Sequence, residues 1–439
     1  MKPSERLRKT VHLTAGLLVV VLALSADLLL GRTVDWSVFR VGLLLLGFGF
    51  GWLGHIPLPK TISTVGIVGG IGWIMLSLLL LVGELVFRFT GLGVAIDRKA
   101  WEAVPIYFRQ PMTPYGKASF RRAGPADWEG RVLHERVKQL GIKPNPYADE
   151  TPVKAHYDRD GFRNPDSLND WDIACTGDSF TELGYLADQD LFTSVLAEKT
   201  GLRVKNLGVS YTGPITQTAY LRDYGAGESV KHWILVYFEG NDLTDMHAEF
   251  AASQAAEKGS PPRRKFDGSL IRRLDSMARN IVWRLKGTHG APNAKFGKSR
   301  QPVTVMYAPP NAADIDDQTR DLLADVLAEY TRNAKTLNVT PWLVYVPCKR
   351  RVLDGMLEFA PNCPPHLRDW RPTDLAKHVA HLSQLHGIRF VDTTEALREE
   401  TERTGESIFN SVFDSHLTAR GSQIVGETIA AQFVPVALD

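Results

Sequence analysis

A serine on a glycine turn, a histidine two residues beyond an aspartate, and an asparagine on a third loop are the side chains of this 439-residue chain that could do covalent chemistry together. Ser179 stands in Thr176-Gly177-Asp178-Ser179-Phe180-Thr181, directly after an apolar run. A serine on such a strand-to-helix turn is exposed and held near the start of a helix, as a nucleophile requires. Near the end of the chain, Phe413-Asp414-Ser415-His416-Leu417-Thr418 places Asp414 where it can hold one imidazole nitrogen of His416 while the other faces a hydroxyl. Asn241, in Glu239-Gly240-Asn241-Asp242, carries an amide that can donate to a developing oxyanion. Each motif also has a plain reading as turn or helix-capping sequence. Their combination in one chain points to acyl transfer through serine.

Loops so far apart in sequence meet only if a regular frame brings them to one edge. From about residue 155, short apolar runs at 171–176, 203–207, 232–238, 342–346 and 388–391 alternate with helical patterns, an order that predicts an α/β domain with a parallel sheet. The clearest helix spans 316–337, with Leu322, Leu323, Val326, Leu327 and Tyr330 on one face. A last helix spans 418–433, with Ile424, Val425 and Ile429 turned inward. Chemistry in such sheets gathers beyond the carboxyl ends of the strands. Ser179, the turn Asn206-Leu207-Gly208 and Asn241 each follow a predicted strand there. Residues 101–151 read as an irregular connector with one short helix at 128–140.

Four blocks in this order resemble the SGNH, or GDSL-type, hydrolase superfamily over roughly residues 155–434. Gly177-Asp178-Ser179 matches the first block, Asn206-Leu207-Gly208 the second, Gly240-Asn241-Asp242 the third and Asp414-Ser415-His416 the last. Asp160-Gly161-Phe162-Arg163 also resembles a segment that precedes the serine block in many bacterial members. The resemblance implies a three-layer, flavodoxin-like α/β/α sandwich and an esterase, lipase, carbohydrate acetyl-esterase or O-acetyltransferase activity. Under it, Ser179 is the nucleophile, His416 the general base and then acid, and Asp414 the residue that orients it. Asn241 and the backbone N–H of Ser179 belong to the oxyanion hole. The family commonly has a glycine about five residues after the second-block asparagine, where this chain has Tyr211. The main-chain N–H of Tyr211 can still donate, although its φ and ψ are less free than glycine's, and Gly208 is the alternative donor.

The Asp-x-His spacing also occurs in the polysaccharide-acetylating branch of the family. The expected function is a serine ester hydrolase working through an acyl-serine on an envelope glycan or lipid ester. Two alternatives stand beside it: an O-acyltransferase that acetylates a cell-envelope polysaccharide, and an inactive glycan-binding or assembly component of such machinery. No cofactor is implied, and no CxxC or His-x-x-x-His spacing suggests a metal.

The first ninety residues are of another kind. Apolar runs at 11–30, 41–58 and 61–87 are each near the roughly 20 residues that cross a bilayer as a helix, which predicts three transmembrane helices. A signal peptide is the competing reading of the first run, after Lys2, Arg6, Arg8 and Lys9. Gly47 and Gly51, and Gly66 and Gly70, have the four-residue spacing of close helix contacts. His12, Asp27, His55 and Glu84 sit toward the ends of the runs, where they reach the interface. The basic N-terminus places itself in the cytoplasm, and three spans put everything after residue 87 outside, so the expected location is a bacterial cytoplasmic membrane with the catalytic domain on its outer face. The domains predicted are an anchor at 1–90, a connector at 91–154 and a hydrolase-like domain at 155–439 with a basic insertion at 245–300.

Net charge is +2, from 51 basic and 49 acidic residues, which excludes the global basicity of a nucleic-acid binder. It divides into +4 over residues 1–90 and −2 over the remainder. Between Lys258 and Arg300, twelve Lys and Arg face only Asp267 and Asp275. Leu270, Leu274, Met277, Ile281 and Leu285 share a helical face there, which reads either as a packed helix with a basic surface or as a lid on anionic headgroups or an acidic glycan. Of three cysteines, Cys348 and Cys363 flank a Pro-rich loop and have the spacing for a disulfide, whereas Cys175 lies in an apolar strand.

Overall fold

The computed structural model describes residues 3–24, 59–102, 122, 124–130, 153–257, 269–274, 277, 281, 292–361, 363–410 and 414–433, with short pieces between 44 and 56. The chain divides into two compact units: Met1–Ala103 with Arg264–Lys286, and Val104–Arg263 with Gly287–Asp439.

The first unit is built on helices α1 (Pro3–Leu24), α2 (Lys60–Phe89) and α3 (Leu92–Glu102). Small residues let α1 and α2 approach. A Cβ at Gly66 would fall 2.8 Å from His12 Nε2, and one at Gly70 2.5 Å from Val11 Cγ1. Gly16 likewise meets Gly47, where a Cβ would lie 2.4 Å from the Gly47 carbonyl oxygen. Among the described residues only Thr61–Phe89 is both long and apolar enough to cross a membrane. Helix α1 contains the charged start of the chain, and residues 25–43, which hold the end of the first predicted span and the start of the second, lie outside the described residues. Of the three predicted spans, the described residues thus bear out the third, Thr61–Phe89, by length and composition.

The second unit carries a five-stranded parallel sheet of β1 (Ile173–Thr176), β2 (Val204–Asn206), β3 (His232–Phe238), β4 (Thr340–Val346) and β5 (Arg389–Asp392), in the order β2-β1-β3-β4-β5. All five were legible as apolar runs. The two longest, β3 and β4, pair from His232 opposite Thr340 to Phe238 opposite Val346. Alternation then sorts their side chains: Trp233, Leu235, Tyr237, Leu343 and Tyr345 enter one core, and Ile234, Val236, Phe238, Trp342, Val344 and Val346 the other. Helices α6 (Pro214–Tyr224), α8 (Asp317–Thr336) and α9 (Leu375–Leu385) cover the first face, and α5 (Phe192–Thr200), α10 (Thr394–Thr404) and α11 (Ala419–Ala430) the second. The result is a three-layer α/β/α sandwich. Helix α8 starts where the Asp316 carboxylate accepts the Thr319 N–H at 2.9 Å, and it buries Leu323, Val326, Leu327 and Tyr330 at the spacing of one helical face.

Two sequence expectations change. Trp128–Gly130 is not the start of a helix: it belongs to the strand Ala126–Gly130, antiparallel to Val153–Tyr157, because Trp128 and Ala126 pack alternately on Ala155 and Tyr157. The remainder of 128–140 lies outside the described residues. Cys348 and Cys363 are both free and buried, the first in the main core and the second in a separate cluster with Val305 and Leu367, so no disulfide joins them.

One buried ion pair ties the front of the sheet together. Ser179–Glu182 forms the single-turn helix α4, and its last residue, Glu182, is fully buried. The Glu182 carboxylate accepts from Arg122 Nε and Nη2, both at 2.9 Å, from Tyr157 Oη at 2.8 Å and from the Ser210 N–H at 2.6 Å. Burial alone would raise the pKa of Glu182, but Arg122 outweighs it and holds the carboxyl below its ordinary value of 4.5. Glu182→Ala is therefore expected to cost roughly 3–5 kcal/mol, because it leaves the Arg122 guanidinium buried without its partner. A group with a depressed folded pKa stabilises above its unfolded pKa and loses that contribution as pH falls through the folded one. In urea unfolding, the gap between wild type and Glu182→Gln should hold at neutral pH and close below pH 4.5; a pH-independent gap would contradict it.

Candidate active site

With strand order 2-1-3-4-5, the parallel sheet changes direction between β1 and β3, and ligands in such sheets bind beyond the carboxyl ends of the strands at that point. Ser179 follows β1, and Asn241 follows β3. Gly177 makes the first turn possible: a Cβ there would lie 2.1 Å from Thr181 Oγ1 and 3.1 Å from Val236 Cβ. Asp178 then caps α4, its carboxylate accepting the Phe180 N–H at 2.8 Å, which leaves Ser179 as the first helical residue.

His416 arrives on a loop closed by a bridge between Phe409 and Leu417. The Asn410 N–H donates to the His416 carbonyl at 2.8 Å, and Thr418 caps α11 through the Gly421 N–H. Asp414 Oδ1 accepts both the main-chain N–H of His416, at 3.1 Å, and its ring Nδ1–H. Two residues is the separation at which one carboxylate oxygen can take both bonds, so the Asp-x-His spacing has a geometric use. With Nδ1 protonated, Nε2 is the acceptor, and the Ser179 hydroxyl lies 2.6 Å from it. The ring packs against Phe180, with centroids 4.7 Å apart, and Tyr185, 5.5 Å apart; Tyr185 Oη also donates to the Leu417 carbonyl at 2.7 Å.

The electrostatics suit a base. Burial opposes a charge on His416, but the Asp414 carboxylate outweighs burial and raises the imidazole pKa above 6.5. In turn His416 overcomes the effect of burial on Asp414 and draws its pKa down to about 2. Beneath the loop lies a residue that sequence reasoning missed. Lys349, fully buried, follows β4 and donates to the Thr304 carbonyl at 3.2 Å and to the carbonyls of Asn410 and Asp414. Burial pulls its pKa down to about 7, against the attraction of Asp414. Its place just past a strand's carboxyl end was a signal, but lysine there normally reads as solvated.

The expected oxyanion donors divide three ways. Tyr211 adopts φ +68°, the left-handed backbone that glycine takes freely and other residues at a cost of about 1–2 kcal/mol. Thus the substitution keeps the glycine conformation, with the residue 41% exposed. Among the described residues, the N–H groups of Tyr211 and Ser179 have no hydrogen-bond partner. Gly208, by contrast, spends its N–H on Asn206 Oδ1 at 2.8 Å. Asn241 Nδ2 lies between two carboxylates, donating to Asp245 and to Asp178, while its Oδ1 is buried without a partner. Carboxylates beside an oxyanion would oppose it, but burial pushes both toward the neutral form, Asp178 upward from 3.8 and Asp245 to about 7.

Three outcomes follow. The acid limb of kcat/KM on p-nitrophenyl acetate should have its midpoint above 6.5 and move down in Asp414→Asn, since a raised histidine pKa means that the base is lost on acidification from a higher pH. Lys349→Met should keep the fold by circular dichroism yet lower kcat by about 10²-fold, the order expected when a reacting group is misplaced by about 1 Å, and shift that limb. An unshifted limb would make Lys349 merely structural. Tyr211→Gly should retain activity, because only its main chain is required.

No family model matches the chain, and no match to a curated protein was found. Among solved structures, it resembles an acetylxylan esterase from Geobacillus stearothermophilus, solved as a catalytic mutant, at 11% identity and a TM-score of 0.32, covering 59% of this chain and 92% of that one. A psychrotrophic esterase from a Pseudoalteromonas species matches at 9% identity and a TM-score of 0.30, over 61% and 98% of the two chains. A protein described as lipolytic, of the G-D-S-L family, from Desulfitobacterium hafniense matches at 13% identity and a TM-score of 0.28, over 59% and 97%. Two of these three proteins are described as esterases and the third as lipolytic, of the G-D-S-L family.

Proposed function

We propose that this protein is a membrane-anchored serine ester hydrolase of the SGNH type, acting through an acyl-serine on an envelope glycan or lipid ester outside the cytoplasm. The observation that carries the reading is the relay from Asp414 through His416 to Ser179, with the His416 Nε2 to Ser179 Oγ distance at 2.6 Å. His416 takes the Ser179 proton as Oγ attacks the ester carbonyl. The main-chain N–H groups of Ser179 and Tyr211 receive the oxyanion, and Asn241 joins them by giving up one of its carboxylate partners. Losing one such donor costs an enzyme about 2.7–4 kcal/mol of barrier. His416 then protonates the departing alcohol, water attacks the acyl-serine with His416 again as base, and the acid leaves with Ser179 restored. Helix α2, apolar and exposed along its length, supports the anchor.

Transfer to a sugar hydroxyl in place of water is the second reading, favoured by the Asp414-Ser415-His416 spacing that resembles the polysaccharide-acetylating branch. A fluorophosphonate probe should label Ser179 in the purified full chain and leave Ser179→Ala unlabelled. Absence of labelling in folded protein would sink both readings. With p-nitrophenyl acetate as donor, release that accelerates on adding a glycan, with acetate appearing on the glycan, identifies the transferase; release insensitive to glycan identifies the hydrolase.

A further inference from the structure

Residues 269–281 leave the catalytic sequence after helix α7 (Asp242–Glu257) yet belong to the same compact unit as α2 and α3. Three contacts hold them there. Leu270 packs on Gly83 of α2 so closely that a Cβ at Gly83 would lie 2.7 Å from Leu270 Cδ2. The buried Glu84 carboxylate accepts the Ile271 N–H at 2.9 Å and pairs with Arg88 at 2.5 Å. Arg273 pairs with Asp97 of α3 and donates to the Gly93 carbonyl at 3.4 Å. Since the Ser269 hydroxyl accepts the Arg272 N–H at 3.1 Å, the segment begins as a capped helix whose first turn is also capped from α2.

This docking sets a depth. Glu84 stands five residues before Phe89, the end of α2, and at 1.5 Å per residue that is about 8 Å inside the end of the helix. Helices that lie in a membrane surface bury their apolar face about 5–10 Å into the boundary between headgroups and acyl chains. Leu274, Met277 and Ile281, spaced three and four residues apart on one helical face, are 42%, 56% and 55% exposed. Over 264–286, seven Lys and Arg face two Asp, the charge that complements anionic headgroups.

We infer that the helical residues 270–274, 277 and 281 lie in the plane of the membrane surface, docked on the end of α2 by Glu84, with Leu274, Met277 and Ile281 in contact with lipid. The inference rests on reading α2 as a span, and the test separates the two. Nitroxide labels would be placed singly by Leu79→Cys on α2, Met277→Cys and Ile281→Cys in the full chain, the three native thiols being buried. In phosphatidylethanolamine and phosphatidylglycerol vesicles, collisions with oxygen report lipid, and collisions with a nickel chelate report water. The expected result is an oxygen-dominated ratio at Leu79, deep in the bilayer, and at both 277 and 281, near the headgroups. If Leu79 is oxygen-dominated while 277 and 281 are nickel-dominated, or shielded from both as under a protein or glycan partner, the in-plane helix is refuted and the span stands. If Leu79 itself is nickel-dominated, the span fails and the inference with it.

Discussion

The buried Glu182 carboxylate is the constraint around which the front of the catalytic unit is arranged. Taking one charge out of water is costly, and it persists here because four donors from three segments converge on it: two from Arg122, one from Tyr157 and one from Ser210. Glu182 lies three residues after Ser179 and ends the same helical turn. Ser210 lies next to Tyr211, whose N–H has no hydrogen-bond partner among the described residues. A single carboxylate thus sets the Ser179 turn, the Ser210–Tyr211 loop and the strand Val153–Tyr157 in one relationship, and the left-handed strain at Tyr211 is held by the bond at its neighbour.

A second buried side chain does a similar job for the His416 loop. Lys349 binds the carbonyls of Asn410 and Asp414, both on the stretch leading to His416, while Asp414 satisfies two donors of His416 with one oxygen. The imidazole is then held by Phe180 and Tyr185, so its orientation follows from packing as much as from hydrogen bonding. On the oxyanion side the balance differs. Asp178 and Asp245 hold the Asn241 amide, and burial moves both toward the neutral form that a developing negative charge tolerates. Low dielectric therefore serves opposite ends in one site: it is overcome at Asp414, which stays ionised, and prevails at Asp245.

In the first unit, close packing depends on small residues. Gly66 and Gly70 let α1 approach α2, as their spacing suggested, and Gly16, which that spacing did not include, meets Gly47; Glu84 is not simply tolerated at a helix end. It caps a helix that arrives from 187 residues further along the chain.

Composition and periodicity alone settled the five strands, the two long helices of the catalytic unit and the motif order, because each is a local pattern of apolar residues punctuated by turn chemistry. The glycine turn at Ser179 and the bonding of Asp414 to His416 were legible for the same reason: a strand-to-helix turn and Asp-x-His are short-range geometries. Trp128 was misread because its alternation only has meaning against Val153–Tyr157, and Lys349 was invisible because a lysine's burial depends on carbonyls brought from residues 304, 410 and 414. Tyr211 in a glycine conformation, Gly208 losing its N–H to Asn206, and the basic segment returning to α2 were likewise decided by tertiary structure. These are competitions between partners distant in the chain, and a linear sequence records the competitors without recording which of them meet.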